Sequence, residues 1–175
     1  MNAQTATAMA TDASAEFRLA MRRVVAGVSV ITSRDGDQPV GLLVTSLASV
    51  SAEPPTLAIS INCQSVSHDP IKRFGAFCVN VLAADQQVIA KQFSDPSRRA
   101  ERFQTGEWTG MQTGCPVLAG TAATFDCEVV HHLPYHSHTI FLGLVKASWT
   151  AASGATAPLV HYSRQYGPLA GFDVS

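Results

Sequence analysis

The sequence predicts one mainly β domain, a closed or nearly closed antiparallel barrel with short peripheral helices. Three observations carry this. Most segments are short β-branched runs bounded by turn residues, helical spacing is confined to brief stretches, and no regular strand-helix alternation of the kind that builds a parallel sheet is present. At 175 residues the chain is long enough for one buried core and too short for two ordinary domains.

The elements follow in order. Met1–Ser14 is rich in Ala and Thr, lacks the basic and apolar regions of a secretory signal, and reads as a disordered tail ahead of a domain spanning 15–175. Phe17, Leu19, Met21 and Val24–Val25 suggest a short helix over 15–25 with Ser14 as N-cap. Val28–Thr32 and Val40–Thr45 form a hairpin around Asp35-Gly36. A Ser-rich segment ending at Pro54-Pro55 precedes a strand over Thr56–Cys63 and a helix over Ser67–Arg73, with Ser67 as N-cap and Pro70 tolerated in the first turn. Phe77–Leu82 is the next strand, Asp85–Phe93 a helix capped by Asp85, and Asp95–Phe103 a second short helix or loop. Strands over Thr121–His131, Thr139–Trp149 and Leu159–Tyr162 complete the chain.

Composition narrows the function. Lys plus Arg number 12 against 13 acids, with no basic run interleaved with aromatics, so nucleic-acid binding has little electrostatic support. Apolar runs are far shorter than the ~20 residues of a spanning helix, so no membrane span is expected. Charged residues make up 14% of the chain, low enough to suggest that another subunit covers some apolar surface. The four cysteines, Cys63, Cys78, Cys115 and Cys127, are widely separated with no CxxC pair, which fits reduced core thiols in a cytoplasmic protein.

The usual nucleotide grips are absent: there is no GxGxxG after a strand and no GxxxxGK[ST]. HExxH, GxSxG and zinc-spaced Cys/His clusters are missing too, so no metal site is expected. What remains is a concentration of hydroxyls at the ends of apolar strands, Gly41–Pro55 with Thr45, Ser46, Ser49 and Ser51, followed by Asn62, Ser65, Ser67 and His68. Such groups, with loop N–H groups, suit a phosphate, a ribityl chain and the polar edge of a flavin ring. Taken alone they fit ordinary turn chemistry beside Pro-Pro better.

Set in order, Gly41–Pro55 with Asn62, Phe77–Leu82 with Asn80, Phe93, Arg102-Phe103, Gly114–Leu118 and His138–Gly143 resemble the short-chain flavin reductase family of two-component flavin-dependent monooxygenases. The likeness, to reductases of 4-hydroxyphenylacetate and phenol hydroxylases, runs from about Glu16 to Tyr166. It implies a homodimeric FMN-binding split barrel with flavin near the subunit interface. By position it implies that Thr45, Ser46, Ser49, Val50 and Ser51 line the ring and ribityl chain, and that Asn62, Ser65, Ser67 and His68 sit near the ribityl-phosphate end. Arg102 and Phe103 match the family's Arg-Phe pair beside the flavin phosphate; the alternative for Arg102 is a surface ion pair with Glu101 or Asp95.

His138 matches the histidine of the family's Gly-Asp-His motif beside the nicotinamide, where this chain has His136-Ser137 in place of Gly-Asp. The alternative is a strand-end histidine satisfied by solvent. His161, Tyr162, Arg164 and Tyr166 fall in the family's second nicotinamide-side segment, Tyr162 being equally suited to the core. The implied activity is NAD(P)H:flavin oxidoreduction, with hydride passing to FMN or FAD and reduced flavin supplied to a partner oxygenase. NADH is favoured over NADPH because no compact basic cluster marks a 2′-phosphate site. The alternatives are a split-barrel flavoprotein that retains FMN and reduces a corrinoid or quinone, and a non-enzymatic flavin- or haem-binding module.

Overall fold

The computed structural model describes residues 13–152 and 156–169. All but the last two residues of the expected tail, 1–14, therefore lie outside the described residues. The order is α1 (residues 13–21), β1 (Ala26–Gly27), β2 (Ser29–Asp35), β3 (Gln38–Val44), β4 (Ala48–Ala52), β5 (Pro55–Asn62), α2 (His68–Phe74), β6 (Ala76–Val81) and α3 (Gln87–Ser94). After a 3-10 turn over Pro96–Glu101 come β7 (Trp108–Gly110), β8 (Pro116–Leu118), β9 (Ala123–Tyr135), β10 (His138–Thr150), β11 (Leu159–Tyr162) and β12 (Gln165–Pro168). None of the described helices is long and apolar enough to cross a membrane.

Seven strands form one antiparallel sheet in the order β3-β2-β6-β9-β10-β5-β4, flanked by the small sheets β1-β11-β12 and β7-β8. The large sheet curls so that the loop after its edge strand β3 reaches β5. There Ser46 Oγ donates to the Ser60 carbonyl at 2.9 Å and accepts from the Ser60 N–H at 3.2 Å. This is the antiparallel split barrel expected from the sequence.

Strand periodicity fills the barrel. In β5, Leu57, Ile59 and Ile61 are buried while Thr56, Ala58 and Ser60 on the other face are half-buried. Ile31, Val44, Phe77, Val79, Cys127 and Phe141 meet them in the interior. A second cluster lies outside the barrel wall, where Val28, Val30 and Leu82 pack on Ile89 and Phe93 of α3, Leu118 and Leu159. Strand β2 therefore has apolar neighbours on both faces, which is why its first five residues are all buried.

Most polar groups inside are paired. Asn80 Nδ2 donates to the Val30 carbonyl (3.1 Å) and to Thr32 Oγ1 (3.2 Å), while its Oδ1 accepts from the Leu118 N–H (2.8 Å). Thr32 Oγ1 in turn donates to the Pro116 carbonyl. The carboxylate of Asp126 accepts from the backbone N–H (2.8 Å) and the hydroxyl (2.5 Å) of Thr113.

Several local expectations are corrected. The first helix includes Ser14, whose hydroxyl accepts from Arg18 Nη1 (2.7 Å) inside the helix, so Ser14 is not its cap, and the helix ends at 21 rather than 25. Ser67 stands at the N-cap of α2 but makes no capping bond, and at α3 the cap position is Gln86 rather than Asp85. Capping by Asp95 is real one element later, where its side chain accepts from the Ser97 N–H. Five short strands, β1, β4, β7, β8 and β12, went unpredicted because their few residues show too little alternation to register.

Two consequences are measurable. A Cβ on Gly143, at a register shift in β10, would stand 2.8 Å from Cys127 Cβ and press on the Phe77 ring. Gly143→Ala should therefore cost about 1–3 kcal/mol in urea unfolding. Burial raises the Cys78 thiol and pushes Cys115 up to about 11 and Cys127 up to about 12. With Cys63 alone exposed, a thiol reagent at mildly alkaline pH should modify one cysteine of the native protein and four after unfolding. Because the buried thiols ionise later in the fold than in the unfolded chain, stability should fall as pH rises beyond about 8.5, the ordinary thiol value.

Candidate functional site

Strand β3 is an edge strand, and three hollows follow one another along it and the loop beyond. The first, ≈ 100 Å³, is lined by Pro39, Val40, Gly41, Val66, Ser67, Arg99, Arg102 and Phe103. The second, ≈ 300 Å³, takes in Leu42–Ser46, Ser60–Asn62 and His138. The third, ≈ 320 Å³, is bounded by α1, Ala26, Thr45 and His161. Thr45 lines both the second and the third.

The first hollow is cationic. Arg102 is 7% exposed; its Nη1 donates to the Gly41 carbonyl at 2.8 Å and its guanidinium sits 5.6 Å from the Phe93 ring centroid. Glycine at 41 is required, because a Cβ would lie 2.8 Å from the Ile31 carbonyl oxygen and 2.9 Å from the Phe93 ring. Phe103 stacks edge-on against Phe93 at 5.5 Å. The surface ion pair considered for Arg102 does not form: Glu101 pairs with Arg98, and the contact with Asp95 is to its backbone carbonyl. Burial, and then the like charge of Arg99, push the guanidinium below its ordinary value. Two buried polar atoms among these lining residues have no partner, Arg102 Nε and Ser67 Oγ. An orphaned donor, an orphaned hydroxyl and a second arginine around a small hollow suit an anion with several oxygens.

The second hollow is built by the pairing of β5 with β10, which sets Asn62 opposite His138. Asn62 Oδ1 accepts from the Gln64 N–H at 2.8 Å, shaping the turn that carries Ser65, Val66 and Ser67 towards the first hollow. Its amide nitrogen has no partner among the described residues. His138 Nδ1 lies 2.9 Å from Ser137 Oγ, leaving Nε2 without a partner among the described residues. The two-residue turn His136-Ser137 is held by the Cys63 N–H donating to the Ser137 carbonyl at 2.8 Å. His136 takes φ 49°, the left-handed conformation that glycine adopts without cost. His136-Ser137 thus forms a tight turn that leads directly into His138.

Of the residues singled out in the sequence, Thr45, Ser46, Asn62 and His138 meet in the second hollow, and Ser67, Arg102 and Phe103 in the first. His161 lines the third, with Tyr166 behind it at 5.4 Å. The others are placed differently. His68 faces the core, its ring edge-on to Phe141, with Nε2 2.8 Å from Thr139 Oγ1 and Nδ1 2.8 Å from Asp69, whose carboxyl that bond holds below its ordinary value. Ser65 Oγ is engaged by the Ser67 N–H. Ser49, Val50 and Ser51 lie on β4, the opposite edge of the sheet, and Ser51 Oγ accepts from the Glu53 N–H. Tyr162 and Arg164 sit exposed at the tip of the β11–β12 hairpin, where Arg23 donates to the Tyr162 hydroxyl. Sequence reasoning missed Ser60, Arg99, Arg18 and Arg22; only a lone serine in an apolar strand and the four-residue spacing of Arg18 and Arg22 could have pointed to any of them.

Relatives combine this barrel with the chemistry the groove suits. The reductase component of an FADH(2)-dependent resorcinol hydroxylase from Rhizobium sp. is 38% identical over 152 residues, 86% of this chain and 84% of that protein. An NADH-dependent FMN reductase of Variovorax paradoxus is 34% identical over 156 residues, covering 89% and 86%. The NADH:FAD oxidoreductase of Streptomyces globisporus, solved with NAD and FAD fragments, superposes with a TM-score of 0.82 at 28% identity over 90% of this chain and 93% of that one. The model of the flavin reductase like domain matches residues 21–170. With the match spanning barrel, groove and hairpin alike, the chain belongs to the flavin reductase-like family.

Proposed function

We propose that the groove binds a flavin with its phosphate at Ser67 and Arg102 and its ring beside Thr45, Asn62 and His138, and that the chain reduces this flavin with NADH for use by a separate oxygenase. The observation that carries the reading is the pair of orphaned buried atoms, Ser67 Oγ and Arg102 Nε, in a small hollow lined by two arginines. A flavin mononucleotide unit supplies an anion for it at one end and a planar ring for the larger hollow next to it.

Bound flavin provides a hydride acceptor, so the protein need supply no acid, base or nucleophile. What the chain's residues do is hold and align. Arg102 and Arg99 oppose the phosphate charge, the Asn62 amide donates towards the ring edge, and the apolar backing of Leu42, Leu43 and Ile61 limits water. His138 Nε2 is left to orient a nicotinamide carboxamide. The Thr139–His68–Asp69 chain of bonds pins the start of β10, and His138 with it, to α2.

The second hollow is open, and many of its polar groups are already used within the chain, Ser46 Oγ by Ser60 and Asn62 Oδ1 by Gln64. Weak flavin retention follows, as suits a protein that hands reduced flavin on. Relatives named for FMN and for FAD support either flavin, and those named for NADH support that donor. A homodimer is supported by apolar side chains left exposed on neighbouring strands: Val50 of β4, Val130, Leu133 and Tyr135 of β9, and Ile140 of β10. Reduced buried thiols fit a cytoplasmic setting.

Absorbance at 340 nm should show the purified protein oxidising NADH only when FMN or FAD is added; a preparation with stoichiometric flavin that leaves NADH untouched would refute the reading. His138→Ala should raise the KM for NADH about tenfold, a hydrogen bond's worth, with flavin affinity nearly unchanged. Ser67→Ala should weaken FMN about fivefold in fluorescence titration while riboflavin, lacking the phosphate, binds as before.

A further inference from the structure

The chain of bonds that joins α2 to β10 does not end at Thr139. Beyond it stands Cys63, exposed and next to Asn62 in sequence, with its Sγ 3.6 Å from Thr139 Oγ1. Thr139 Oγ1 lies 2.8 Å from His68 Nε2, and His68 Nδ1 lies 2.8 Å from Asp69 Oδ1. Thiol, hydroxyl, imidazole and carboxylate thus form one line, running from the surface at Cys63 through buried Thr139 and His68 to the exposed carboxylate of Asp69.

The donors in this line all point one way. The Asp69 carboxylate only accepts, so the neutral imidazole carries its proton on Nδ1 and leaves Nε2 bare. The bare Nε2 accepts from the Thr139 hydroxyl, and with its one proton so placed that hydroxyl accepts from the Cys63 thiol. A nucleophile, a base within reach through one hydroxyl and a third group that orients the base are the parts of an activated thiol. The other three cysteines are buried, and burial raises their thiols.

From this we infer that Cys63 is a peroxide-reactive thiol whose proton is drawn through Thr139 to the His68–Asp69 pair. Sulfur attacks one oxygen of hydrogen peroxide, the O–O bond breaks, and the departing hydroxide takes up the proton. One thiol and one peroxide give a sulfenic acid and water; sulfur loses the two electrons that peroxide gains. The inference rests on the reductase reading only for the source of the peroxide, which is reduced flavin that meets dioxygen before an oxygenase takes it up. The oxidation falls beside the groove, because the Cys63 N–H holds the Ser137 carbonyl of the turn in front of His138.

The test mixes the full-length protein with hydrogen peroxide in the absence of flavin and NADH, traps sulfenic acid with dimedone and locates it by mass spectrometry. Cys63 should carry the label. Thr139→Val removes the hydroxyl link and should slow labelling about tenfold or more, the loss of an assisted proton transfer. Asp69→Asn probes the same line at its exposed end, where folding is not at stake. Loss of a negative charge beside Lys72 and Arg73 would by its field alone favour the thiolate and speed labelling. Loss of the group that orients His68 should instead slow it about fivefold or more. Absence of label at Cys63, or an Asp69→Asn variant that reacts as fast as the wild type or faster, overturns the inference. In air with NADH and FMN the wild type should label itself at Cys63, and catalase should prevent it. Protein that added peroxide labels through this line yet that oxidises no NADH keeps the site and overturns the reductase reading instead.

Discussion

Between β3 and β5 the barrel is joined by a serine hydroxyl where a ladder of backbone bonds would otherwise run. Ser46 Oγ serves both the N–H and the carbonyl of Ser60, and no strand pairing connects β3 to β5 among the described residues. A ladder there would bring the strands to about 4.8 Å and leave no space between them. The clasp instead fixes their relative position while leaving the edge of β3 open, and the three hollows lie along that edge. Structural closure and ligand access are met by the same contact. Because the clasp uses both hydrogen-bonding capacities of one hydroxyl, Ser46 shapes the groove rather than contributing a free donor to it.

The charge in the groove is placed by packing. Arg102 is carried inward because Gly41 lets β3 lie against Phe93 and Phe103, and the buried Gly41 carbonyl gives the guanidinium a partner. A buried cation with carbonyl partners and a second cation nearby is incompletely neutralised: burial and the like charge of Arg99 push the guanidinium below its ordinary value, and its Nε has no partner. Such a site gains more from an anion than a solvent-exposed arginine would, since the cation's desolvation has already occurred on folding.

The fold was largely legible because its long strands carry two-residue alternation and its turns carry glycine, Asn or Asp. Strand β11 was read to the residue, and β5 and β6 to within one position. The site was legible only in part. Thr45, Asn62 and His138 come together through the β5–β10 register, which is a non-local property no window of sequence contains. His68, beside hydroxyls in a polar-looking segment, resembles a ligand donor in sequence, and its position at the start of α2 turns the ring inward to Thr139 and Phe141. Ser49–Ser51 follow the bend at Thr45 onto β4, at the far edge of the sheet.

That far edge is itself shaped. Between Ser49 and Ser51 the pairing of β4 with β5 slips by one residue, so that Val50 has no partner and the strand kinks. A flat exposed edge is a template on which another chain can extend the sheet indefinitely; a kinked one is not. Where apolar side chains are exposed nearby, the bulge therefore separates two kinds of association. Contact through the faces of side chains remains open and ends with a matched pair, while growth through backbone hydrogen bonds, the route to fibres, is blocked at its first step.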